Sequence, residues 1–293
     1  MDFDSFLNQA WDEHATDTAG VAQRLAADGP DLVTEEAQLT SLANLVHHVY
    51  GEHLGHWSAG RAMLQRLAAH PACGAGGSAS AALRRFQASL ALCEEGVDER
   101  AAMTASDRIR VTVLAAANLA ERDTARASSL LGDALAEAER NGLDATDPAH
   151  RAVAVTGNNL ACALEEKAHR TPMERALMIT AAQAARRHWA LAGGWLETER
   201  AEYRLAMTWL QAGDPALARH HAQQCLALVQ ANGSVPLERF FGHEALALAE
   251  AADGNAAGRA AAVTQASEAF AALDEADRGW CQPTLDKLLA LTP

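Results

Sequence analysis

A helix-capping turn recurs along the chain and limits the folds that the sequence can adopt. The turn returns about every 40 to 50 residues, with its capping residues at Asp123, Thr171, Asp214 and Asn255. A Leu-Ala pair precedes each turn by a similar distance, at Leu114-Ala115, Leu160-Ala161, Leu205-Ala206 and Leu246-Ala247. Two helices in each period of this length predict stacked antiparallel helix pairs. We therefore expect an all-α, right-handed α-solenoid of about five helical hairpins.

The clearest hairpin lies in residues 197–229. Its two helices carry apolar stripes at helical spacing, made by Leu205, Ala206, Trp209, Leu210, Ala218, Ala222, Cys225, Leu226 and Val229. Between the helices, Gly213 can adopt the left-handed conformation that ends a helix, and Asp214 can cap the next one. Such a hairpin buries only one face against itself, so it needs neighbouring hairpins.

Composition and charge restrict the classes of partner. The 293 residues are 49% hydrophobic but only 5% aromatic, which suits closely packed helices rich in alanine and leucine. The formal net charge of −14 argues against nucleic acid or an anionic membrane as a partner, because both select basic surfaces. The five cysteines are scattered, which favours a reducing cytosol. The polar N-terminus and the short apolar runs also favour a cytoplasmic protein.

The chain is predicted to form one continuous domain in three parts. Residues 1–30 form an N-terminal helical cap, residues 31–275 the helical repeats, and residues 276–293 a C-terminal capping helix. Caps are expected because an open stack of repeats leaves apolar end faces that must be covered. The terminal helix is predicted over residues 283–291, with Trp280 beside it.

The repeat pattern resembles the tetratricopeptide repeat (TPR) family. The residues that carry the resemblance are Leu205, Ala206, Trp209, Gly213, Asp214, Ala218, Ala222 and Cys225. The resemblance covers about residues 106–273, and more weakly residues 33–95. The period is longer than the usual ~34 residues, and the proline that commonly ends a repeat is replaced by Gln230. HEAT-like or other α-solenoid repeats are the structural alternative.

The resemblance implies a groove that binds peptides on the face made by the first helix of each repeat. Family members hold a peptide carboxylate with an asparagine and two basic residues at set distances before the small residue of a repeat. The matching positions here are Asn159, Arg204 and Arg200. Two further positions of that clamp hold Thr112 and Ala116 instead of lysine and asparagine.

Neighbouring side chains would complete this groove. Tyr203 and Met207 share a helix with the two arginines and can supply an apolar floor, while Asn158 and Glu244 are polar neighbours. Phe241 faces the groove if Phe240 is the buried member of the pair. The alternatives are that both phenylalanines are buried, and that Arg200 and Arg204 pair with glutamates of their own helix.

A histidine-rich segment is the most unusual stretch of the chain. His47, His48, His53 and His56 lie within ten residues, and imidazole is a ligand for zinc, copper and nickel. His53 and His56 are three apart, so they can share a helix face. The segment contains no His-Glu-x-x-His motif and crosses a predicted turn, so ordinary packing is the alternative to a metal site.

These observations favour a non-catalytic scaffold that binds a protein or peptide segment. We predict no catalytic residue and no cofactor, because the sequence lacks a nucleophile motif and a phosphate-binding glycine loop. The alternatives are a regulatory module that senses a ligand or peptide, and a metal-binding protein or enzyme that uses the histidine segment. Self-association into a homodimer through an end hairpin is a further alternative.

Overall fold

The described residues of the computed structural model, 2–95 and 97–291, form helices and connecting turns without a strand. Met1, Thr292 and Pro293, the outermost residues of the two predicted caps, lie outside this range. The Cα positions group into two compact units, residues 1–143 and 144–293. The prediction that one domain with separate caps spans the chain stays a prediction.

The first unit contains eight α-helices among its described residues. They are α1 (Phe3–Glu13), α2 (Thr18–Ala27), α3 (Gly29–Leu32), α4 (Glu36–His47), α5 (Trp57–Ala68), α6 (Ser78–Cys93), α7 (Ala105–Leu119) and α8 (Thr124–Asn141). A π-helical turn, His48–His53, continues α4, and a short 3₁₀ turn, Arg100–Ala102, precedes α7.

The core of the first unit gathers apolar side chains from its first six helices. Phe3 and Phe6 of α1 are buried together with Leu39 and Leu42 of α4. In this unit α5 packs against α6, α6 against α7 and α7 against α8, and α4 also packs against α6. The N-terminal helices therefore cover the apolar side of α4.

The second unit consists of seven consecutive α-helices in its described residues. They are α9 (Pro148–Glu166), α10 (Pro172–Ala192), α11 (Trp195–Ala212), α12 (Pro215–Ala231), α13 (Pro236–Ala252), α14 (Ala256–Ala271) and α15 (Glu275–Leu289). Each helix packs against its successor, and the alternate helices α9, α11, α13 and α15 also pack in that order. This arrangement of sequential pairs with a contacting set of alternate helices is consistent with a helical repeat.

Small residues let the helices of this unit approach closely. A β-carbon on Gly157 of α9 would lie 2.7 Å from the carbonyl oxygen of Ala181 in α10. A β-carbon on Gly242 of α13 would lie 2.7 Å from Leu226 of α12. The low aromatic content therefore reflects helix crossings that leave no room for large side chains.

The structure confirms the four predicted capping residues. Asp123, Thr171, Asp214 and Asn255 each accept a backbone hydrogen bond at the start of α8, α10, α12 and α14. Thr171 also forms the predicted capping box with Glu174. Gly213 ends α11 with a φ of 83°. Local turn chemistry therefore places the helix ends as the sequence predicts.

The C-terminal helix differs from its predicted extent. It begins at Glu275, because Asp274 accepts a hydrogen bond from the Asp277 backbone at 2.9 Å. Pro283 lies inside the helix and not at its first turn. Trp280, predicted to lie beside the helix, is consequently part of it.

Candidate functional site

A cavity of about 470 Å³ opens on the alternate helices of the second unit. Every one of those four helices contributes to its wall. The lining residues are Asn158, Glu199, Arg200, Tyr203, Arg204, Leu237, Glu238, Phe241 and Trp280. Because alternate helices form this wall, the cavity lies on the face where the TPR resemblance implies a groove.

Three aromatic rings form one side of the cavity. The Tyr203 and Phe241 rings meet edge to face with centroids 5.8 Å apart, and the centroids of Phe241 and Trp280 are 5.2 Å apart. Phe240, in contrast, is fully buried. Trp280 is 64% exposed although it is a large apolar residue. Trp280 therefore offers an apolar surface that the described part of this unit does not cover, next to the half-buried rings of Tyr203 and Phe241.

The rim of the cavity carries two arginines that already have carboxylate partners. Arg200 Nη2 donates to Glu238 Oε1 at 2.7 Å, yet 59% of its side chain stays exposed. Arg204 Nη1 donates to Glu165 Oε2 at 2.5 Å, and Thr208 donates to the other Glu165 oxygen. Burial raises the pKa of Glu165, against the opposing effect of Arg204. The arginines thus pair with neighbouring helices, not with glutamates of their own helix.

Glu199 contributes a buried carboxyl group to the cavity. It is 1% exposed and accepts a hydrogen bond from Cys225 Sγ at 2.7 Å through Oε1. Burial raises its pKa to about 8, and the charge of Glu238 adds to the increase. Burial also raises the pKa of the Cys225 thiol, with a further contribution from Glu199. Both shifts favour the protonated forms, so the thiol is a poor nucleophile at neutral pH.

Five of the eight predicted groove residues line the cavity: Asn158, Arg200, Tyr203, Arg204 and Phe241. The other three lie close to it but outside its wall. Asn159 accepts a hydrogen bond from Asn158 at 3.2 Å, and Glu244 accepts one from the Tyr203 hydroxyl at 3.0 Å. Met207 packs on the alanines between α11, α12 and α13.

Four cavity residues escaped the sequence prediction: Glu199, Leu237, Glu238 and Trp280. Leu237 and Glu238 precede Phe241 by one helical turn, so the spacing of three to four residues was the available signal. Trp280 was missed because the start of its helix was placed too late.

The structure does not bring the four predicted histidines together. The buried His47 ring contacts Ser89 Oγ at 2.8 Å and stacks on Phe86. Burial lowers its pKa to about 4. His56 is exposed at the turn before α5. His48 and His53 do meet, with their Nε2 atoms 3.0 Å apart.

A second cavity, of about 530 Å³, lies in the first unit between α2 and the π-helical turn. Its wall consists mainly of alanines, with Tyr50 and His56 at one side. The Tyr50 hydroxyl donates to the Ala22 carbonyl at 3.2 Å. Because few polar groups converge on it, this cavity offers little basis for recognising a ligand.

The chain matches no protein-family model, no curated protein and no solved structure. Within residues 2–95 and 97–291, none of the helices combines the length and the apolar character that a membrane crossing requires.

Proposed function

We propose that this protein is a non-catalytic interaction module of the TPR-like, right-handed solenoid type that binds a peptide segment of another protein. The binding site is the cavity on α9, α11, α13 and α15. The observation that carries the proposal is the aromatic wall on the alternate helices, which consists of half-buried Tyr203 and Phe241 and exposed Trp280. The module would act in the cytosol, the compartment that the scattered cysteines favour.

The occupant that fits best is an extended peptide with one apolar side chain. That side chain would pack against the three rings, since aromatic anchors dominate the energetics of many interfaces. Asn158 and Asn159 carry amides that can bind a peptide backbone. Arg200 is exposed enough to reach an acidic group on the peptide.

Polar groups around the cavity support binding over catalysis. Burial raises the pKa of the Cys225 thiol, so this group is a poor nucleophile at neutral pH. Arg204 Nε is buried without a hydrogen-bond partner among the described residues. A ligand oxygen that reached this nitrogen would satisfy it, and unsatisfied buried donors are rare in folded proteins.

A small-molecule sensor is the second candidate function. The cavity volume of about 470 Å³ falls in the range of small-ligand sites. In that case the ligand would pack against the aromatic wall inside the cavity and would not extend along the helix face.

The proposal can be tested by selecting, from a displayed library of random peptides, those that bind the full chain. Peptides that share an apolar residue should emerge, and Trp280→Ala should weaken their binding by at least about tenfold, as expected for an aromatic anchor. Leu289→Ala is the matched control, because Leu289 is 62% exposed on the same helix but lies outside the cavity.

The proposal is wrong if selection yields no peptide, or if Trp280→Ala and Phe241→Ala both bind the selected peptides as tightly as the unchanged protein. Circular dichroism of each variant shows whether the helices are intact. Competition between a selected peptide and a library of small molecules separates the second candidate from the first.

A further inference from the structure

Three histidines from two separate segments of the first unit lie close together. His14 lies just after α1, and His48 and His53 lie at the two ends of the π-helical turn. One ring nitrogen from each histidine lies within 4.8 Å of the other two. The ring centroids are 4.6 to 5.0 Å apart. We call these residues the histidine triad.

The contacts of the ring nitrogens orient the triad toward a common centre. His14 Nδ1 hydrogen-bonds to the carbonyl oxygen of Trp11, which leaves Nε2 for another partner. His48 Nδ1 lies 3.2 Å from Glu52 Oε1, and its Nε2 faces His53 Nε2 at 3.0 Å. A carboxylate or carbonyl on one imidazole nitrogen with a metal on the other is the usual arrangement of metal-binding histidines.

We propose that the histidine triad binds a divalent transition-metal ion, with zinc as the ion that fits best. Nitrogen ligands of a tetrahedral zinc ion lie about 3.3 Å apart, given Zn–N bonds of about 2.0–2.1 Å. The 3.0 Å separation of His48 Nε2 and His53 Nε2 is close to that value. A ring nitrogen of His14 lies within 4.8 Å of a ring nitrogen of each of the other two histidines and supplies the third ligand, and water can occupy the fourth position.

The π-helical turn places His48 and His53 close to each other. In an α-helix, residues five apart point about 140° away from each other. In the π turn, hydrogen bonds join residues five apart, as from Leu54 N–H to the Val49 carbonyl at 3.0 Å. His48 and His53 therefore face the same side. Turns of this type occur frequently at functional sites.

Contacts from α7 and the α7–α8 turn hold the π turn in place. Arg122 donates from Nη1 to the Glu52 carbonyl and from Nη2 to the His53 carbonyl, both at 2.7 Å. Gly51 packs so closely on α7 that a β-carbon would lie 2.5 Å from Asn118 Oδ1. The backbone beneath the triad is thus fixed from outside its own helix, which predisposes the site to bind a metal.

The surroundings of the histidine triad close one side of the site and leave the other side open. The Trp11 ring lies against His14 and His48, with centroids 5.2 and 5.3 Å away. His53 is exposed. One side of the triad is therefore closed by an apolar ring, while the other remains open for the ion to enter.

Zinc titration of the full chain tests the proposal. The protein is prepared without a histidine tag, stripped with a chelator and titrated by calorimetry with zinc alone. We expect one ion per chain, and at least about a 100-fold weaker affinity for both His53→Ala and His14→Ala, since each removes a ligand. Glu52→Gln should weaken binding by about 10- to 100-fold, the usual effect of removing a partner that orients a ligand.

His56→Ala is the matched control, because His56 is an exposed histidine near the triad that takes no part in it. Its affinity for zinc should equal that of the unchanged protein. Absence of stoichiometric binding overturns the proposal, and so does unchanged binding by His14→Ala or His53→Ala. Since His53 is exposed, His53→Ala should remain folded, and circular dichroism verifies this. The peptide cavity plays no part in the outcome.

Discussion

Several titratable side chains of the second unit are buried, and Glu199 is the clearest example. Its carboxyl group sits at the cavity with a thiol as hydrogen-bond donor and a second carboxylate, Glu238, nearby. Such a group favours its neutral form, because removing a charge from water costs free energy. The cavity therefore carries less negative charge at neutral pH than its residue types indicate.

The raised pKa of Glu199 predicts that stability falls as pH rises. Between pH 4.5 and about 8 the folded state keeps a proton that the unfolded chain releases. The free energy of unfolding should therefore decrease across this window, by up to about 1.4 kcal/mol per pH unit. Glu199→Gln should remove this slope and be more stable than the unchanged protein at pH 9. Urea unfolding at pH 5 and pH 9 measures both effects.

Glu197→Gln serves as the control for that experiment. Glu197 lies on the same helix, and its hydrogen bond from the Gly194 backbone lowers its pKa. It is therefore ionised throughout pH 5 to 9, and its replacement should leave the slope unchanged. If Glu199→Gln retains the slope of the unchanged protein, burial of this carboxyl group does not control the pH dependence.

At the scale of helices, close crossings depend on positions without a side chain. Gly157 meets the α10 backbone, whereas a β-carbon on Gly132, in the middle of α8, has nothing within 4 Å. Both glycines carry the same intrinsic helix penalty. Comparing substitutions at Gly157 and Gly132 therefore separates the contribution of packing between helices from that of helix propensity.

Alanine at these two glycines should have opposite effects. Gly132→Ala should stabilise the protein by about 0.5–1 kcal/mol, because alanine favours the helix. Gly157→Ala should destabilise it, since forcing a methyl group into a packed contact costs about 1–3 kcal/mol and outweighs the gain in propensity. Thermal and urea unfolding of both variants provide the measurement. A stabilising Gly157→Ala would contradict the close crossing of α9 and α10.

Helix ends were predictable from sequence, whereas the two sites were predictable only in part. Asp214 and Thr171 act on residues next to them in the chain, so local chemistry suffices to place them. His14 joins His48 through tertiary packing of α1, and no periodicity connects residues that far apart. The spacing of His53 and His56 indicated a shared helix face, whereas the structure places His53 against His48, because the α-helical period does not apply in a π turn. The positions implied by the TPR resemblance, together with their neighbours, did include five residues of the cavity wall, since that wall follows one face of regular helices.

At the scale of the whole molecule, each unit has its own buried core. The first is built around Leu39, Leu42 and their neighbours, and the second includes Phe240 packed with residues of α14 and α15. The boundary falls between Gly142, which ends α8 in a left-handed conformation, and Asp147, which caps α9. The two candidate sites are divided between the units.

Separate expression of residues 1–143 and 144–293 should give two helical, cooperatively folding fragments. Each fragment keeps the contacts that define its core, so each should unfold in a single transition followed by circular dichroism. The first fragment should bind zinc, and the second should bind the peptide. A fragment that ends inside α11 is the control and should be poorly folded, because it loses the partner helices of that core. If residues 144–293 alone are unfolded, the second core is not self-sufficient.

The π turn makes the pairing of His48 and His53 depend on chain length as well as on side-chain identity. Loss of one codon between them would leave a spacing of four in an ordinary α-helix, where residues four apart differ by only about 40° and still share a face. One added codon would give a spacing of six, which separates the two side chains by about 120° in an α-helix. Selection for metal binding would therefore purge insertions in this stretch more strongly than single-residue deletions.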